Sequence, residues 1–294
     1  MSTPNDTQLV KCPGCGWEFH YSLERCPHCG HPGIYSNVIV ASQQQEQLAV
    51  ERRYQAALQD TNRRGCAVIR QEFEAWLAIC SAVAARPLEE VEKLATSDKV
   101  GYPTYYDLTE AGLRLPDGTA WDDLRRAADE VLFPRYREKM RFAALSGDGV
   151  GVANFGHFWL SLRVSMIAHR ASVFDQNSAS FVADQQLRKA QPALQGHRAP
   201  WAERQKLAVA QLAPRLSPTT TAQDFSAVLL EQGATTDEDR YIEVNIWGPM
   251  TIRSFEKVVY SRSRVVGRLS GQLSRLKTLK RDLARFNVDL EETP

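Results

Sequence analysis

The chain has 294 residues, of which 43% are hydrophobic and 24% charged, with a net charge of +1. That length holds one large domain or a domain with an appended module, and near-neutrality excludes polyanion binding by bulk charge, so any basic surface must be local. No stretch approaches the roughly 18 consecutive apolar residues of a membrane span, so no membrane partner is expected.

The opening residues, "MSTPNDTQLVKC", lack a basic segment followed by an apolar one, so no secretory signal is expected. Next comes "CPGCGWEFHYSLERCPHCG", with Cys12 and Cys15 forming one Cys-x2-Cys knuckle and Cys26 and Cys29 a second. Each pair sits in a Cys-Pro-x-Cys-Gly turn that aims two thiolates at one point. Two such knuckles complete a closed tetrahedral site for a structural Zn2+ ion, which predicts a zinc ribbon over residues 1–36. Four thiolates leave no open position for catalysis, and His20, His28 and His31 are surplus to the set. Cys66 and Cys80 fall in helical sequence, and this cysteine usage points to a reducing cytoplasm.

Residues 37–97 read as a helical arm. Leu48, Tyr54, Leu58, Val68, Phe73, Trp76, Leu77 and Ile79 recur at helical spacing among charges, and Pro87 opens a short helix with acidic residues in its first turn. Phe73, Trp76 and Cys80 read as packing residues. From about residue 98 the texture changes to one rich in turns and aromatics. Asp117-Gly118 marks a tight turn, Thr119 is placed to cap a helix over "AWDDLRRAADEVLF", and Pro134 is placed to open another over "RYREKMRFAAL".

Phe158, Leu160 and Leu162 alternate with Trp159, Ser161 and Arg163 as in a strand, and "IAHRASVF" reads as a second. Gly149, Gly151 and Gly156 suggest backbone that bends or comes close to something. In "RYIEVNIWGP", residues 240–249, Ile242, Val244 and Ile246 would share one face, with Glu243 and Asn245 together on the other. The fold class expected is α+β: a zinc ribbon, a helical arm, then residues 98–294 as helices with a small, mainly antiparallel sheet.

The order Phe155-Gly156, strand, Arg170-Ala171-Ser172, Asn177-Ser178, then Glu243-x-Asn245 ahead of an aromatic residue and Gly248 resembles a family of bacterial and phage-associated toxin-like domains with ADP-ribosyltransferase-like folds. The family pattern is roughly Tyr-Gly, strand, Arg-Ala-Thr, a polar residue with Ser, and Glu-x-Gln before His-Gly or Trp-Gly. The likeness covers about residues 135–260, with Phe155 for Tyr and Asn245 for Gln as departures. It implies transfer of ADP-ribose from NAD to a nucleic-acid or protein acceptor, in a toxin or anti-phage setting with an antitoxin or other regulatory partner.

In that chemistry the bond to nicotinamide breaks through an oxocarbenium-like state. Glu243 would hold the ribose 2′-hydroxyl and stabilise the positive charge, and Asn245 would orient the acceptor. Arg170 would pair with the NAD pyrophosphate, Ser172 or Ser178 would brace Glu243 or the nicotinamide ribose, and His157 would contact the adenine-side ribose. Two other readings stay open. One is a metal-independent RNase toxin, with His157 and Glu243 as acid and base and Arg170 stabilising the phosphorane. The other is a non-enzymatic zinc-ribbon adaptor. No phosphate-binding Gly-x-x-x-x-Gly-Lys loop and no acidic cluster for Mg2+ is present.

The chain closes with a basic amphipathic helix expected over residues 262–287. Val266, Leu269, Leu273, Leu276, Leu283 and Phe286 form its seam, and seven Arg or Lys lie between Arg262 and Arg281 without an acidic residue. The seam suits a hairpin with residues 44–80, and the basic face suits nucleic-acid phosphates or an acidic partner. Gly267 and Gly271 weaken its first turns.

Overall fold

The structure, a computed structural model, describes residues 9–20, 23–104, 106–107, 120–187, 194–262 and 272–293. The first half comprises β1 (Leu9–Lys11), β2 (Glu18–His20), α1 (Ser36–Ala41), α2 (Gln44–Arg63), α3 (Ala67–Ile79), β3 (Ser81–Arg86), α4 (Leu88–Ala95), α5 (Ala120–Leu132) and β4 (Met140–Ser146). There follow β5 (Phe158–Leu162), α6 (Val164–Ile167), β6 (Ala171–Phe174), α7 (Ser178–Asp184), β7 (Arg198–Pro200), α8 (Arg204–Leu212) and α9 (Phe225–Leu229). The chain ends with β8 (Leu230–Glu231), β9 (Arg240–Tyr241), β10 (Glu243–Trp247), β11 (Phe255–Ser261), α10 (Gln272–Ala284) and β12 (Asp289–Thr293).

Eight strands make the main sheet, in the order β12-β11-β5-β3-β4-β10-β6-β7. Every pairing is antiparallel except β11 with β12. The α+β class and mainly antiparallel sheet agree with expectation, although the sheet is far larger than the few strands legible in sequence.

Side-chain alternation gives the sheet two buried faces. Ala82, Ala84, Ala143, Leu145, Val173, Val244 and Ile246 join the principal core, together with Val50, Phe73, Leu77, Val91, Val209, Leu212 and Leu279 from α2, α3, α4, α8 and α10. On the opposite face Met140 and Phe174 pack with Ala128, Leu132, Phe181 and Val182 of α5 and α7. Val83, Ala85 and Trp159 form a separate apolar cluster on that side.

Several expectations change. Residues 37–97 are not a detached helical arm, because β3 lies inside the sheet and the core runs through them without a break at residue 98. Leu48, Val68 and Ile79 are 56%, 65% and 75% exposed, so only part of the helical pattern faces the core. The helix expected after Pro134 gives way to a strand at Met140–Ser146. An interior strand buried on both faces shows no alternation, which leaves its apolar run looking helical. In "IAHRASVF" only Ala171–Phe174 is extended, and Val164–Ile167 forms a helical turn.

The described part of the basic helix, α10, buries Leu276, Leu279 and Leu283 while Leu273 stays 53% exposed. Instead of pairing with residues 44–80 it meets α4, where Arg275 Nε donates to Glu92 Oε1 at 2.9 Å. Asp117-Gly118, Thr119, Val266, Gly267, Leu269 and Gly271 lie outside the described residues.

Candidate functional site

The two central strands part company. The β3–β4 ladder ends at Val83↔Ala144. Beyond that pair β3 runs on with β5 to Arg86↔Phe158, while β4 runs on with β10 to Met140↔Trp247. The resulting fork holds a cavity of about 430 Å³, within the ~300–1,000 Å³ usual for ligand pockets. Val83 and Ala85 line one branch, Phe142 and Ala143 the other, and Trp121, Tyr102, Phe155 and Tyr241 add aromatic surface. Gly156, at φ +141°, lets the 153–155 turn press onto β3, since a Cβ there would lie 2.2 Å from the Arg86 carbonyl carbon.

Glu243 opens onto this cavity and is 1% exposed. Ser178 Oγ donates to its Oε1 at 2.6 Å, and Asn245 Nδ2 donates to the same oxygen at 2.7 Å. Arg125 Nη1 and the Ser178 backbone N–H each donate to Oε2 at 3.4 Å. Arg125 also donates to Ser178 Oγ at 3.0 Å, pairs with Asp129, and lies 4.3 Å above the Phe142 ring. Tyr106 Oη donates to the far oxygen of Asp129 at 2.8 Å. Burial raises the Glu243 carboxyl above its ordinary range, while Arg125, Ser178 and Asn245 pull it back toward the ionised form. Burial likewise pushes the neighbouring Tyr241 hydroxyl well up.

Glu243, Ser178 and Asn245 therefore lie together. Asn245 is 2% exposed, and its Nδ2 braces the Glu243 carboxylate from two residues along the same strand. Arg170 is 0% exposed and does not line the cavity. Its Nε donates to Met166 O at 2.9 Å, and Nη1 donates to the carbonyls of Trp247 and Gly248. The Arg-Ala-Ser segment is thus tied to the Trp-Gly that follows the Glu-x-Asn strand, an architectural clamp rather than a phosphate contact. Ser172 accepts from Asn37 Nδ2 at 3.2 Å, and the same amide donates to Arg170 O and Asn245 O. His157 is half-buried, and it too stands outside the cavity lining.

Arg125 was missed by sequence reasoning. A signal existed: Asp122, Arg125 and Asp129 are spaced three and four apart beside an apolar stripe, and all three are buried. Charges held on the inward side of a helix mark a polar network rather than a solvated face.

At the N-terminus the Sγ atoms of Cys12, Cys15, Cys26 and Cys29 all lie within 4.8 Å of one another. A tetrahedron with metal–sulfur bonds of about 2.3 Å has edges of about 3.8 Å, and Cys15–Cys26 and Cys12–Cys29 measure 3.8 and 3.5 Å. The knuckles repeat one hydrogen-bond pattern. Gly16 N–H donates to Cys12 O and Gly30 N–H to Cys26 O, with both glycines at positive φ. The cluster is compatible with a zinc site.

The sequence matches no protein-family model and no curated protein.

Glu243→Ala leaves Ser178 and Asn245 without an acceptor and Arg125 with one carboxylate fewer, and should lower stability by about 3–5 kcal/mol in chemical denaturation. A carboxyl whose pKa is raised on folding binds more protons in the native than in the unfolded state, so its contribution falls as pH rises upward from the ordinary 4.5. The melting temperature of Glu243→Gln should accordingly decline less than that of wild type as pH rises through that window; parallel curves would contradict the assigned direction.

Proposed function

We propose that the fork cavity binds NAD and that the chain is an ADP-ribosyltransferase-like enzyme acting on a nucleic-acid or protein acceptor. The observation that carries this reading is Glu243: a buried carboxylate, braced by Ser178 and Asn245, opening onto an aromatic-walled cavity with arginines in its lining. The order of motifs in the sequence points the same way. In the reaction the bond between ribose C1′ and nicotinamide breaks, and its electron pair leaves with neutral nicotinamide. Glu243 stabilises the positive charge left on the ribose and accepts its 2′-hydroxyl. The acceptor nucleophile then bonds to C1′ and releases a proton to solvent. Ser178, Asn245 and Arg125 keep the carboxylate oriented and favour its ionised form.

The RNase reading has less support, because no histidine is among the cavity-lining residues described. In the setting that the sequence resemblance implies, the enzyme serves as a toxin or anti-phage effector held in check by a protein partner. The four-cysteine cluster is read as a structural zinc site that folds a segment too small for its own core.

Incubation of the chain with labelled NAD and total cellular RNA, DNA and protein should label one of these pools, and Glu243→Gln should cut that labelling at least a hundredfold. Shortening of RNA without NAD would overturn the reading in favour of a nuclease. Metal analysis should find one zinc per chain, and chelation should release it and unfold the N-terminal module while the main sheet's near-ultraviolet signal persists.

A further inference from the structure

The fork has a second polar end that the chemistry at Glu243 does not use. Tyr102 lines the cavity, is 1% exposed, and its hydroxyl has no hydrogen-bond partner among the described residues. Leaving such a group unpaired costs about 1–3 kcal/mol. Burial pushes its pKa up to about 12, so at neutral pH it is a neutral donor. Arg86, from the β3 branch, lies 4.1 Å above the Tyr102 ring. Its Nη1 donates to Ala85 O at 2.8 Å and its Nε faces Glu90 at 2.9 Å. Arg141, from the β4 branch, lines the same cavity with a side chain only 10% exposed; its Nη1 donates to Lys139 O at 3.2 Å and its Nη2 faces Asp107 at 3.5 Å.

Alternation along the strands sets this end apart. Arg86 and Arg141 follow the parity of Ala84 and Ala143, which face the principal core, whereas Glu243 shares the opposite face with Ala144. The cavity therefore passes through the sheet where the strands diverge. Glu243 pairs with Ala144 at the closed end, and Arg141 lies three residues further along β4, about 10 Å at ~3.3 Å per residue. A carboxylate at one end and hydroxyl and guanidinium donors at the other suit a ligand with a cationic reacting group and an acceptor-rich anionic group, joined by a short spacer. The oxygens of a diphosphate diester, fully ionised at neutral pH, only accept, and the planar guanidinium matches them in pairs.

We propose that Tyr102, Arg86 and Arg141 form a diphosphate subsite at the open end of the fork, holding the middle of a dinucleotide that reaches through the sheet to Glu243. The assignment of the ligand rests on the NAD reading above; the anion site itself does not. It reassigns the diphosphate from Arg170, which does not line the cavity.

The test is calorimetric titration of the full chain with ADP-ribose and, separately, with inorganic pyrophosphate. Tyr102→Phe removes only the unpartnered hydroxyl, so it should weaken both ligands at least tenfold while the melting temperature holds or rises. Arg141→Gln should weaken both similarly, with Arg141→Lys recovering part of the loss. If pyrophosphate binds and depends on these residues but ADP-ribose does not bind, the subsite stands and the NAD reading falls. If ADP-ribose binds equally well to wild type, Tyr102→Phe and Arg141→Gln, the subsite is wrong although nucleotide binding survives. Failure of wild type to bind either ligand overturns the subsite.

Discussion

A carboxylate taken out of water is the constraint around which this molecule is organised. Desolvating Glu243 is unfavourable by several kcal/mol unless donors replace the lost hydration. Those donors come from separate elements: Ser178 at the start of α7, Arg125 on α5, and Asn245 two residues along the same strand. Each of these is held in turn. Asp129 holds Arg125, Asn177 caps the helix that begins with Ser178, and the backbone of Asn245 accepts from Asn37. The layer of α5 and α7 over one sheet face is thus specified by polarity as well as by the apolar contacts of Phe174, Phe181 and Leu132.

The same arrangement joins the segment around Arg170 to the Trp247-Gly248 end of β10. Arg170 is enclosed, and its guanidinium satisfies carbonyls where the strand ends and the backbone turns at Gly248, φ +77°. Without that support the turn would leave buried carbonyls unpaired. Here Glu243 is the centre of a buried carboxylate network, and Arg170 is a clamp on the backbone.

Legibility in sequence followed alternation. In β10, a run of alternating apolar and polar residues bounded by Trp247-Gly248-Pro249 disclosed both the strand and the carboxylate. The cysteine knuckles were equally plain because metal-ligand spacing is a local property. What stayed hidden were strands such as β3 and β4, buried on both faces and carrying no period of two. The fork between them was invisible as well, since it depends on which neighbour each strand abandons. Arg125 and Tyr102 fell into segments that read as an ordinary amphipathic helix and an aromatic-rich turn. Their importance comes from burial, which only the tertiary arrangement sets.

The strand order bears on how the chain acquires its site. β3 lies between β4 and β5, and β10 inserts between β4 and β6, roughly a hundred residues after its β4 partner. Contacts so distant in sequence slow folding, because the intervening loop must close before any pairing energy is gained. During synthesis the helices of the first half emerge long before the strand that completes the carboxylate network. The cavity is complete only once Glu243 has joined the sheet, so a chain truncated before β10 lacks it by topology alone.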